Sequence, residues 1–127
     1  METRGQQSDM GIWLDEQLVR AVKKSDYDGI GRFLNLGARI NPRRNSTTPL
    51  IEAAKRCSVQ MVDTLLEYGA DVNEFDEDGL MAIDYAGSAL KVVALLEAGS
   101  ELSFKGGRLS LQGFERVLKI YRDRGLV

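Results

Sequence analysis

Three places in the sequence carry residue types that could do chemistry. Asp28-Gly29-Ile30-Gly31 has the opening of a glycine-rich phosphate loop, in which backbone N–H groups cradle an anion where a helix begins. Leu34 stands where the third glycine of that pattern belongs, and no strand-like run precedes it, so nucleotide binding is not expected. The acidic run Glu74-Phe75-Asp76-Glu77-Asp78-Gly79 has the front of a calcium loop, with Gly79 in the sixth place. The twelfth place needs a bidentate glutamate and holds Tyr85, so the expectation is a solvated, partner-facing loop. Cys57 follows Lys55 and Arg56, cations that lower a thiol pKa when they lie close to it. No histidine is available to take a proton from that thiol or from any serine. This excludes Ser-His-Asp and Cys-His nucleophiles and any zinc site that uses histidine. The carboxylates show no pairing beyond what exposed helix faces carry. The expectation is therefore no enzyme, no cofactor and no metal.

The scaffold that positions these residues is a chain of 127 residues, 43% hydrophobic and 28% charged, which is enough for one folded domain and too little for two cores. Seventeen Lys and Arg against nineteen Asp and Glu leave a net charge of -2, so no overall positive field exists to hold nucleic acid. A single cysteine cannot form an internal disulfide, and the apolar stretch around Met10 to Leu14 is too short to cross a membrane. A cytoplasmic location is expected, or a nuclear one in a eukaryote. Residues 1–12 are polar and are expected to form a flexible leader to a domain spanning 13–127.

Sliding the sequence against itself exposes a period. Leu18-Val19-Arg20-Ala21-Val22-Lys23-Lys24 falls on Leu50-Ile51-Glu52-Ala53-Ala54-Lys55-Arg56 at an offset of 32. At the same offset, Phe33 to Asn41 falls on Leu65 to Asn73 without a gap. A third, degraded copy matches Leu95-Leu96-Glu97-Ala98-Gly99 to Leu65-Leu66-Glu67-Tyr68-Gly69. Each unit reads as two short helices and an extended excursion. In the second unit Thr48 is placed to cap a helix with Pro49 at its first position, running to about Arg56. A second helix from about Val59 puts Val62, Leu65 and Leu66 on one face and stops at Gly69, which supplies the left-handed conformation of a helix end. From Ala86 to Gly99 the third copy has 13 steps, against 16 from Ala53 to Gly69. Its inner helix should therefore be short or distorted. After Ser103, Ser110 can cap a closing helix with Leu111, Phe114, Val117, Leu118 and Tyr121 on one face.

Thr48-Pro49-Leu50 with Ala53-Ala54, then Leu65-Leu66-Glu67-Tyr68-Gly69-Ala70-Asp71-Val72-Asn73, resembles the ankyrin repeat, whose period is about 33 residues. Ile51 replaces the family's usual histidine, and Cys57 stands where a glycine commonly joins the helices. The resemblance implies an all-α fold, an ankyrin-repeat solenoid of stacked helix-turn-helix units with short hairpin-like loops. Repeats are expected at about 14–41, 42–73 and 74–103, with a C-terminal cap at about 104–127. About three units plus a cap is close to the minimum for such a stack.

The resemblance also implies a role in binding another protein, through the inner helices and the tips of the projecting loops. In this sequence the groove positions are Lys23 and Lys24, then Lys55 and Arg56, and the first loop adds Arg39, Arg43 and Arg44. The second loop has the opposite sign, with Glu74, Asp76, Glu77 and Asp78 around Phe75, and Leu80 after Gly79. A basic groove beside an acidic finger with apolar anchors suits an adaptor or an inhibitor, a toxin-neutralising immunity protein being one version. Trp13 is expected to cover the first unit's apolar face. The competing reading is a structural subunit that docks permanently through its irregular third repeat and C-terminal helix. In the first reading the chain is a monomer that binds neither nucleic acid nor membrane. Charge reversal at Lys55 and Arg56 is then expected to abolish partner capture with little change in stability.

Overall fold

The computed structural model describes residues 4–42, 47–100, 102–104, 107–109, 115, 119 and 122–125. Among them six helices follow in order: α1 (Arg4–Lys23), α2 (Tyr27–Asn35), α3 (Pro49–Arg56), α4 (Val59–Glu67), α5 (Ala82–Tyr85) and α6 (Ala89–Glu97). They pair as α1 with α2, α3 with α4 and α5 with α6. The pairs stack, with α3 between α1 and α5 in an inner row and α4 against α6 in the outer row. This is the expected solenoid of stacked helix pairs.

The local reasons are visible at the helix ends. The Thr48 hydroxyl accepts from the Ile51 N–H at 3.1 Å, and Pro49 follows at the first helical position, where its missing donor costs nothing. Asp26 caps α2 and Ser88 caps α6 in the same manner. The outer helices all run out at a glycine with positive φ, +113° at Gly37, +94° at Gly69 and +107° at Gly99. That repeated left-handed turn sends the chain into each projecting loop.

A single apolar core runs through the stack. Leu14, Leu18 and Val22 line one face of α1 at helical spacing, and Ile30, Leu50, Ile51, Met61, Leu65 and Leu95 continue the core through the other helices. Trp13 lies edge-on to Phe33 with ring centroids 6.3 Å apart, which places it over the first unit's apolar face while 49% of it remains exposed.

Polar side chains bind neighbouring units to one another. The Asn41 amide donates to the Gly69 carbonyl at 3.0 Å and accepts from the Asp71 N–H at 2.8 Å, joining the first loop to the second. Asp15, buried in α1, accepts from the Arg39 backbone and from two nitrogens of its guanidinium. Arg39 is therefore neutralised within its own unit and is no part of a free basic surface.

The third unit is short where expected: α5 has four residues. In the second unit Cys57, at the turn between the helices, donates its thiol to the Val22 carbonyl at 3.3 Å. The repeat offset places Val22 on Ala54, but the shortened third turn has no residue to match Cys57. Lys91, one turn into α6, takes over. Its buried ammonium donates to the Ala54 carbonyl at 2.8 Å and to the Cys57 carbonyl at 2.9 Å. A cation at the end of α3 also meets the negative pole of that helix.

Two regions differ from the sequence reading. Residues 1–12 were expected as a flexible leader, yet α1 begins at Arg4, because extending a helix already anchored by Leu14 and Leu18 needs no new nucleus. After α6 the chain forms an antiparallel hairpin, β1 (Leu102–Phe104) with β2 (Gly107–Leu109), Leu102 facing Leu109. In the closing helix Glu115, Lys119, Arg122 and Asp123 are helical and exposed, and its apolar positions lie outside the described residues.

Replacing Lys91 with Met keeps the stem and leaves two carbonyls without their donor. Urea unfolding should show a loss of about 2–3 kcal/mol. An unchanged midpoint would mean that water serves those carbonyls equally well.

Candidate partner-binding surface

Glu52 organises the inner face. It sits in α3 with 3% of its surface exposed and takes a hydrogen bond from the Thr47 hydroxyl at 2.7 Å and another from Arg56 Nε at 2.9 Å. Lys55 lies at 3.7 Å and Lys23, from the neighbouring unit, at 4.0 Å. Burial pushes this carboxyl upward, but the hydrogen bonds from Thr47 and Arg56 and the charges of Lys55 and Lys23 outweigh it, and the pKa is lowered from 4.5.

The same lysine reaches the third unit. Lys55 Nζ sits 4.4 Å from the centroid of the Tyr85 ring, a cation–π contact between α3 and α5. The Tyr85 hydroxyl donates to Asp76 on the second loop. Its pKa is pushed up to about 12, chiefly because the bond to the Asp76 carboxylate needs the proton in place.

Asp76 shapes the loop that carries it. Its carboxylate accepts from the Asp78 N–H at 2.9 Å and the Leu80 N–H at 3.0 Å, and its own N–H donates to the Leu80 carbonyl at 2.9 Å. Gly79 adopts φ +78° at the tip, and Phe75 pairs with Met81 at the base. The result is a small hairpin with Phe75 65% exposed and Leu80 38% exposed, while Glu77 and Asp78 face solvent.

The sequence-predicted residues thus divide. Lys23, Lys55 and Arg56 come together around Glu52, and Lys24, which follows Lys23 in the chain, is exposed. Phe75, Glu77, Asp78 and Leu80 share the second hairpin. Arg43 and Arg44 lie outside the described residues. Asp76 belongs to the hairpin's interior, with 5% of its surface exposed, and so is withdrawn from the acidic tip. Lys55 and Arg56 are also more than groove charges. Reversing them would leave Glu52 with Lys23 as its remaining cation and set two like charges beside it, so a loss of stability is expected together with any loss of binding.

The motifs that suggested catalysis are accounted for. Asp26 already occupies the N-terminus of α2, accepting from the Gly29 N–H at 3.0 Å, so no phosphate is needed there. A Cβ at position 29 would collide with that carboxylate, which explains the first glycine, whereas one at position 31 would make only ordinary contact with the Tyr68 hydroxyl. Among the described residues no group of three metal-capable side chains forms.

Sequence reasoning missed Glu52, Asp15 and Lys91 as organisers. A signal existed for two of them: Glu52 interrupts the apolar run Leu50 to Ala54, and Lys91 occupies an inward position four residues before Leu95. A charge on a buried stripe requires a partner.

Residues 33–86 match the family described as "Ankyrin repeats (many copies)". Over these residues the chain carries ankyrin repeats. Ankyrin repeat and SOCS box protein 5 of Homo sapiens is 34% identical over 83 residues, covering 65% of this chain and 25% of that protein. ARF GTPase-activating protein GIT1 of Homo sapiens is 38% identical over 79 residues, 60% of this chain and 10% of that protein. Potassium channel AKT1 of Oryza sativa subsp. indica is 38% identical over 60 residues, 46% of this chain and 6% of the channel. The chain therefore spans at most a quarter of the length of these relatives. These relatives are named for different activities, so the likeness follows the repeats, which generally mediate protein–protein interaction. No described helix is long and apolar enough to cross a membrane.

Two outcomes follow from the ionised contacts. A lowered Glu52 pKa means that its stabilising contribution is present above pH 4.5 and is lost as pH falls through the lower folded-state value. Denaturant midpoints taken from neutral pH to about pH 3 should drop in acid, and Glu52→Gln, weaker at neutrality, should drop less; parallel curves would acquit Glu52. Separately, absorbance titration of the four tyrosines should show one ionising last, near 12. Asp76→Asn should bring that step back toward 10, and an unmoved step would break the assignment to Tyr85.

Proposed function

We propose that this ankyrin-repeat chain is a protein-binding module that acts as an adaptor or an inhibitor. The partner lies along the inner helices and against the second hairpin. The observation that carries this reading is Tyr85, which holds Lys55 on its ring face and Asp76 on its hydroxyl. Basic cluster and acidic hairpin are thereby set at a fixed separation before any partner arrives. Preorganisation of this kind lowers the ordering cost of association. Phe75 is the apolar anchor, Leu80 supports it, and Lys23, Lys24, Lys55 and Arg56 on one side and Glu77 and Asp78 on the other offer a partner charges of opposite sign. Arg43 and Arg44 add two further positive charges to this partner-binding set. The chain works as a monomer in the cytoplasm and uses neither nucleic acid nor membrane.

A second reading has its own observation. On the outer face of α2 and α4 the repeat places Asp28 and Arg32, then Gln60, Asp63 and Thr64, but on α6 the corresponding residues are Leu90, Val93 and Ala94. Leu90 is 54% exposed. An outer helix without charge on that stretch suits permanent docking of the third repeat in a larger assembly.

One experiment separates the two. Partners recovered by affinity capture from native extract are compared for the wild-type chain, Phe75→Ala and Leu90→Gln. Neither replacement touches the core, so thermal midpoints should stay put. Loss of roughly tenfold or more with Phe75→Ala supports the inner face and hairpin. Loss with Leu90→Gln alone moves the interface to α6 and overturns that reading.

A further inference from the structure

We propose that the basic cluster of the inner face receives an acidic, extended peptide segment, one carboxylate on the Arg56 guanidinium and a second between Lys23 and Lys24. This rests on the protein-binding reading above and names the chemistry of the partner.

The cluster contains three cations, Lys23, Lys55 and Arg56, around the single carboxylate of Glu52, and Lys24, next to Lys23 in the chain, adds a fourth exposed charge. Glu52 is itself a carboxylate in a site built of cations, and it leaves that site with excess positive charge. Arg56 uses only Nε toward Glu52, at 2.9 Å, and among the described residues its terminal nitrogens make no other hydrogen bond. Its side chain is 58% exposed. The free edge of a guanidinium offers two parallel donors, the geometry that a second carboxylate fits. Lys23, 42% exposed and 4.0 Å from Glu52, keeps most of its donors available, and Lys24 is exposed next to it.

Two of these cations are held in place. Arg56 is pinned through Nε, and Lys55 lies between Glu52 and the face of Tyr85. Long side chains that are already ordered lose less entropy when a ligand arrives. An acidic peptide fits better than nucleic acid, because Glu77 and Asp78 on the neighbouring hairpin would repel a polyanion running past the cluster. A short segment whose carboxylates end before the hairpin meets no such barrier.

The test uses the full chain and fluorescence anisotropy. A labelled peptide of alternating glutamate and glycine is titrated beside one of alternating lysine and glycine, and beside duplex DNA of similar length. The glutamate peptide should bind, and its affinity should fall roughly tenfold between about 50 and about 300 mM NaCl. Lys24→Glu, at a position exposed enough to leave folding intact, should weaken it about five- to tenfold. No binding at low salt, indifference to Lys24→Glu, or preferential binding of DNA would each overturn the proposal. If the glutamate peptide fails while native capture still depends on Phe75, only the acidic-segment proposal is lost. If both fail, the protein-binding reading goes with it.

Discussion

A carboxylate buried in an α-helix must be compensated, and in this protein the compensation of Glu52 reaches every unit. Desolvation alone would drive it to take a proton. Thr47 and Arg56 hydrogen-bond it and Lys23 and Lys55 surround it, so it stays ionised. Lys23 belongs to the first unit, Glu52 to the second, and Lys55 passes the connection to Tyr85 in the third. From Tyr85 it continues to Asp76 and the hairpin. Apolar burial supplies the larger free energy of the stack but is indifferent to small slips between units. A chain of charge-assisted contacts is directional, and it sets the separation between the basic cluster and the exposed Phe75.

Backbone carbonyls at the ends of the inner helices pose a similar demand. Where a turn of ordinary length is available, Cys57 answers it at Val22. Where three residues are missing, Lys91 answers from the next helix at Ala54 and Cys57. The shortened third repeat is therefore a compensated variant of the unit. It keeps the stacking of α5 on α3 and of α6 on α4. Cys57 itself has a structural employment, which removes the reason to see it as a nucleophile.

A net charge of -2 conceals strong segregation. Lys23, Lys55 and Arg56 gather on the inner face and exposed carboxylates gather on the second hairpin. The relatives, which range over a SOCS box protein, a GTPase-activating protein and a potassium channel, share the repeats and not one activity. What distinguishes this chain is thus the arrangement of side chains on a common scaffold. That arrangement argues for recognition by charge and a few apolar anchors.

The sequence by itself determined the period, the helix limits and the short third unit. The cues are local: Thr48-Pro49 opens a helix, glycine closes one, and the count from Ala86 to Gly99 shows the missing residues. Position within a repeat also put Lys23, Lys55 and Arg56 on the inner helices and Glu77 and Asp78 on the second loop. Only the tertiary structure decided what those charges do. Arg39 was legible as a surface cation, and it is the partner of Asp15, 24 residues earlier. Asp76 was legible as an acidic tip residue and is the hairpin's internal acceptor; Lys91 reaches 37 residues back to Ala54. Such pairings form when stacking brings distant backbone and side-chain groups within about 3 Å in a desolvated setting. Periodicity records which face a residue occupies, whereas its partner depends on how the neighbouring unit sits against that face.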